Sequence, residues 1–132
     1  MNDSFGHVTG DKVLKAVAEV LSPDKDALAA RLGGEEFLIL LRGKGAAARA
    51  EHLRELLPAR IAATVPGLDR LVTASMGLVE MPPGGCMRCD FTTLFAHCDR
   101  LLYEAKNTGR NRTMRERMQQ FDRRRNRRAA AA

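Results

Sequence analysis

No stretch of this 132-residue chain approaches the roughly 18 consecutive apolar residues that a membrane-spanning helix needs. The first residues, MNDSFGHVTGDK, contain no basic segment followed by an apolar one, so a secretory signal is not expected. Cysteines are few and odd in number, at three, which argues against a disulfide framework and places the chain in a reducing cytoplasm. No segment repeats along the chain. A sensor or membrane region, if one accompanies this chain, would lie upstream of Met1.

What is present fits one folded domain. Hydrophobic residues make up 45% of the chain, enough to bury a core at this length. The formal net charge is +6 and unevenly placed. From Arg115 to Ala132 there are seven arginines against Glu116 and Asp122, so almost all the excess lies at the end and the body is nearly neutral. That end reads as a solvated tail, residues 114 to 132. The competing reading, a nucleic-acid or acidic-surface contact, has only Phe121 to offer as an aromatic.

Residues 1 to 10 read as a loop. Asp11 can cap a helix to about Leu21, with Val13, Leu14, Val17, Val20 and Leu21 on one face. Residues 27 to 32 and 37 to 41 read as two strands joined by the turn at Gly33 and Gly34. A helix follows from 46 to about 65, with Pro58 expected to kink or interrupt it. Residues 71 to 81 read as a strand. Residues 91 to 106 form an amphipathic helix with Leu94, Phe95, Cys98, Leu101 and Leu102 inward, and 107 to 112 a polar turn. The order is that of a mixed α/β or α+β sandwich containing an antiparallel hairpin.

Glu35 and Glu36 follow the glycine pair at the tip of that hairpin. Glycines tolerate positive φ and leave room for a ligand. Carboxylates at such a tip can hold Mg²⁺, a hard cation that prefers oxygen and commonly shares substrate phosphates. Gly-Gly-Glu-Glu alone also describes many ordinary surface turns. A second candidate, Cys86 and Cys89 with His97 and Cys98, has zinc-like spacing in its first pair only. His97 and Cys98 are neighbours on a helix and point about 100° apart, so Cys98 reads as packing.

Four separated blocks give the turn a wider meaning. Arg31-Leu32-Gly33-Gly34-Glu35-Glu36-Phe37 resembles the signature of the GGDEF family, the fold of diguanylate cyclases, in its GGEEF form. Upstream, Asn2-Asp3-Ser4-Phe5-Gly6-His7 with Gly10-Asp11 resembles that family's N-D-x-x-G-H-x-x-G-D segment. Downstream, Ala74-Ser75-Met76-Gly77 resembles its S-I-G strand. Cys98 to Lys106, followed by Gly109-Arg110-Asn111-Arg112, resembles its closing helix and G-R-N segment. The resemblance covers residues 1 to 113 and implies a nucleotide-cyclase-like fold, with a central, mostly antiparallel sheet flanked by helices. It also implies condensation of two GTP molecules into cyclic di-GMP with loss of pyrophosphate, Mg²⁺ or Mn²⁺ dependence, and a catalytic homodimer. By motif position, Asn2 and Asp11 would read the guanine edge, and Gly33 and Gly34 would admit the nucleotide. Glu35 would hold metal, Glu36 would be a second ligand or proton acceptor, and Lys106 and Arg110 would meet the terminal phosphates. Asp3 and His7 read as residues that tie down backbone.

The sequence departs from that family in two places. The family carries a helix and a strand before this segment, with a metal-binding aspartate on the strand and a phosphate-binding lysine after it. Neither residue occurs here, and Met1 stands where the family has Ile or Val. An internal start of a longer reading frame, or a degenerate domain that binds nucleotide or a protein partner without turnover, are the two expectations that follow. The product-inhibition motif R-x-x-D would place its arginine at Asp24 and its aspartate at Ala27, so inhibition through that site is not expected.

Overall fold

A computed structural model describes residues 7–21, 25–81 and 90–118. The chain divides into two compact units, Met1–Ala74 and Ser75–Ala132. The first contains helix α1 (His7–Leu21), strands β1 (Ala27–Gly33) and β2 (Glu36–Leu41), and helix α2 (Ala46–Thr64). The second contains β3 (Met76–Glu80), helix α3 (Phe91–Asn107) and β4 (Thr113–Arg117). The mixed α/β class read from the sequence holds, with sheet structure flanked by helices. Among the described residues no helix or strand precedes α1.

In the first unit the core forms between α1 and α2. Val13, Ala16, Val17 and Leu21 of α1 meet Leu53, Leu57 and Ile61 of α2, with Val65 and Val72 closing the cluster. The α2 residues recur at helical spacing, which is why an alanine-rich segment buries one stripe. Pro58 does not interrupt the helix. Leu57 and Ile61 lie on either side of it and are both buried, so packing holds the two halves in line despite the missing amide. α1 begins four residues earlier than Asp11, which corrects the reading of Asp11 as a cap: it lies inside the helix.

The β1–β2 hairpin is antiparallel, pairing Ala27 with Leu41, Ala29 with Ile39 and Arg31 with Phe37. Strand alternation then sends Ala29, Phe37 and Ile39 to one face, where they pack on the core. Leu28 and Leu40, opposite each other in the register, are 65% and 51% exposed.

The second unit is a βαβ arrangement, β3 and β4 lying parallel with α3 as the crossover. Two sequence expectations change here. The strand is shorter than residues 71 to 81, and residues 113 to 117, counted largely with the tail, form a strand paired along β3. Charge explains why β4 escapes a hydrophobic pattern. Its Arg115 pairs with Glu80, and its Glu116 accepts from Arg100 of α3. Arg100 is thereby held more basic than a free arginine, chiefly by the hydrogen bond to Glu116. Pairs this exposed add little stability individually; the ladder itself fixes the strand.

Asp90 caps α3 by accepting from the Thr93 amide at 2.9 Å. Hydrogen bonding from the Thr93 side chain first, and from its amide second, holds the Asp90 carboxyl below the usual range. Leu101 and Ala105 are the buried residues of α3. Contact with β3 is close at Gly77, where a Cβ would stand 2.2 Å from the Cys98 carbonyl oxygen and 2.6 Å from the Leu102 amide nitrogen. Both obstacles are backbone, so neither can rotate away. Gly77→Ala should therefore destabilise the chain by about 3 kcal/mol, the upper range for overpacking, read as a lower urea midpoint at unchanged slope. A midpoint within error of the wild type would contradict this packing.

Candidate functional site

The tip of the hairpin is built from four residues. Gly33 ends β1 with φ 144°, and Gly34 follows with φ 53°, in the left-handed region. Glu35 completes the turn and Glu36 begins β2, opposite Gly33. Both carboxylates are exposed. The backbone supplies the reason for two glycines: side chains rarely adopt these φ values, and an added Cβ at either position would meet nothing within 4 Å. The glycines are there for conformation and for access.

Beside this tip lies a pocket of about 310 Å³. One wall is a single face of α1, carrying Asp11, Leu14, Lys15 and Ala18 at helical spacing. The other wall comes from the hairpin, with Ala29, Ala30, Arg31 and Phe37. The small alanines of β1, a weak strand signal in the sequence, are what leave the space open. Leu14 and Phe37 give it apolar sides, and Asp11, Lys15 and Arg31 add charge of both signs. Its volume is at the small end for ligand pockets, with apolar sides and a few polar groups. Lys15 and Arg31 were not singled out as site residues from the sequence. The available signal was the four-residue step from Asp11 to Lys15 and the position of Arg31 in the strand leading to the turn.

Lys106 and Arg110 belong to the second unit. Lys106 lies in the last turn of α3, where cationic side chains suit the helix dipole. Arg110 follows in the turn, with φ 61°, and Asn111 has φ 47°. The Arg110 amide donates to the Ala105 carbonyl at 2.9 Å, folding the turn back onto the end of the helix. Arg112 Nε donates to the Arg110 carbonyl at 3.1 Å. Two cationic residues therefore sit at one helix end, held by backbone bonds. Asn2 and Asp3 lie outside the described residues, as do the side chain of His7, Cys86, Cys89 and residues 119–132. Cys98 is a free thiol, half-buried, and burial pushes its pKa up, which suits packing rather than metal binding.

The donor set can be tested for a divalent cation. Among the described residues no group of three or more His, Cys, Asp or Glu side chains converges. Glu35 and Glu36 offer hard oxygen donors at an open turn. That suits Mg²⁺ or Mn²⁺ only in the mode in which one or two carboxylates share the ion with substrate phosphates and water. A closed all-protein cage is not built from these residues.

Comparison with known proteins identifies the family. Residues 1–112 match the family described as diguanylate cyclase, GGDEF domain. Diguanylate cyclase VdcA of Vibrio cholerae serotype O1 is 38% identical over 122 residues, covering 86% of this chain and 34% of that protein. The probable diguanylate cyclase DgcT of Escherichia coli K12 is 36% identical over 121 residues, covering 86% of this chain and 26% of that protein. The chain thus spans about a third or less of these curated relatives. Among solved structures, the GGDEF domain of DgcB from Caulobacter crescentus, in complex with c-di-GMP, superposes with a TM-score of 0.63 at 29% identity. That match covers 86% of this chain and 68% of the other.

The turn geometry has a direct consequence. Gly34→Ala meets no clash but must hold φ near 53°, a cost of about 1 kcal/mol. Gly34→Asn, whose side chain tolerates that region, should cost clearly less. Chemical denaturation of the two variants beside the wild type checks this; equal stability of all three would mean the turn does not adopt the left-handed conformation.

Proposed function

Because this chain belongs to the GGDEF domain family, we propose that it acts in the condensation of two GTP molecules to cyclic di-GMP. The observation that carries the reading is the Gly33-Gly34-Glu35-Glu36 turn standing beside a pocket that includes Asp11. Each copy of the chain holds one GTP, and two copies meet face to face. The 3′-hydroxyl of one nucleotide attacks the α-phosphorus of the other; an oxygen–phosphorus bond forms and pyrophosphate leaves. Repetition in the opposite sense closes the ring.

The chain's own residues bind and orient. Asp11 accepts from guanine N1–H and N2–H₂, and the Asn2 amide serves the base's remaining edge. Gly33 and Gly34 let the phosphates approach the backbone. Glu35 would hold the divalent cation, and Glu36 would be a second ligand or take the proton of the attacking hydroxyl. Lys106 and Arg110 neutralise the terminal phosphates, where charge builds on the leaving group. When bound, Mg²⁺ or Mn²⁺ supplies Lewis-acid stabilisation of phosphate charge. Positioning of two large substrates carries much of the rate. Synthesis of a second messenger fits a cytoplasmic location, with an upstream sensor region as the natural partner.

A second reading is favoured by one observation, the absence of a three-ligand acidic group among the described residues. In that reading the chain binds nucleotide, or a protein partner, without turnover. Product formation from GTP and Mg²⁺ separates the two, measured in the chain extended by the family's aspartate-bearing strand and the lysine after it. Wild type should make cyclic di-GMP, and Glu35→Ala should lose about 100-fold in kcat. Lys106→Ala and Arg110→Ala should raise KM about tenfold, the scale of a lost charged contact. GTP binding without product would support the second reading. Wild-type rates in Glu35→Ala would remove Glu35 from the mechanism.

A further inference from the structure

The acidic turn has little intrinsic rigidity. Its two successive glycines give up more backbone freedom on ordering than other residues would. The register also shifts between Arg31 and Gly33, so Leu32 has no cross-strand partner where the turn begins. An interrupted ladder of this kind leaves the local backbone less restrained.

One side chain bridges that gap. Arg31 donates through both Nε and Nη2 to the Gly34 carbonyl, at 2.9 and 2.7 Å. Two charge-assisted bonds from one planar fork restrict direction as well as distance. The same residue lines the pocket with Asp11, Lys15 and Phe37, and it pairs with Phe37 across the hairpin. Phe37 packs on the core. Arg31 thus joins three things: a strand anchored on the core, the pocket wall and the backbone between the two glycines and the two carboxylates.

We propose that Arg31 is a positioning residue, whose guanidinium holds the Gly34 carbonyl and so fixes the turn that presents Glu35 and Glu36. The use made of that presentation rests on the GTP reading above; the clamp is a property of the chain alone. Lysine at this position keeps the charge but not the planar fork, so it restores the clamp only in part.

Residue-resolved amide exchange in the full 132-residue chain tests the clamp without nucleotide. Arg31→Ala should accelerate exchange at residues 34–36 about tenfold, the scale of a lost charged hydrogen bond. Exchange at Val13 and Ile61 in the core should stay unchanged, and Arg31→Lys should fall between wild type and Arg31→Ala. Wild-type exchange at residues 34–36 in Arg31→Ala overturns the proposal. So does equal acceleration at Val13 and Ile61, which would make Arg31 a general stability residue. Should Arg31→Ala fail to fold, Arg31→Lys decides by the same comparison. Calorimetric Mg²⁺-GTP binding is the second measurement: Arg31→Lys should bind severalfold more weakly with an unchanged melting temperature. A wild type that binds no GTP would count against the cyclase reading, while the exchange result would still decide the clamp.

Discussion

The antiparallel register of β1 and β2 is the constraint on which the first unit depends. A strand alternates faces at every residue, so a slip of one position would send Ala29, Ile39 and Phe37 into solvent and bring Leu28 and Leu40 to the core. The core between α1 and α2 selects one of these two choices, since the inward set packs against that cluster. Once that choice is made, the chain must reverse at Gly33 and Gly34. Glu35 and Glu36 then stand at the tip, and Arg31 reaches the Gly34 carbonyl. The same register puts Ala29 on the face toward the core, and β1 at Ala29 and Ala30 lines the pocket opposite α1.

The second unit solves a different problem with a similar economy of side chains. A helix must lie close to a strand, and Gly77 allows it by presenting no Cβ to the backbone of α3. The end of α3 is set locally, where the Arg110 amide folds back onto the Ala105 carbonyl. Parallel β4 then closes the unit with a charged sequence, Thr113 to Arg117, tied to β3 by the ladder and to α3 through Arg100 and Glu116. Charges on an exposed edge strand also discourage pairing with foreign strands.

Much of this was legible in the sequence. The hairpin, its glycine turn and the three helices each carry a local signal: the 3.6-residue spacing of Val13 and Val17, the short apolar run before Arg42, the amphipathic pattern ending at Lys106. The α/β class follows from their order. Other features were hidden for physical reasons. β4 is charged, and its strand character comes from the partner ladder rather than from its own residues. Asp11 has the chemistry of a cap, but the helix begins at His7, so Asp11 lies inside it. Pro58 breaks helices in isolation, yet buried neighbours on both sides outweigh the lost bond. The pocket wall formed by Lys15 and Arg31 depends on two elements meeting, which no single segment announces.

Under the proposed function, the Gly33–Glu36 turn is where a metal-bound nucleotide meets this chain. Paramagnetic broadening of backbone amide signals by Mn²⁺ in the presence of GTP tests it most directly, because the effect marks distance from the ion whether or not turnover occurs. Broadening should centre on residues 33–36, require GTP, and be lost in Glu35→Ala. Broadening centred elsewhere while residues 33–36 keep their signals, or the same pattern in Glu35→Ala, would contradict it.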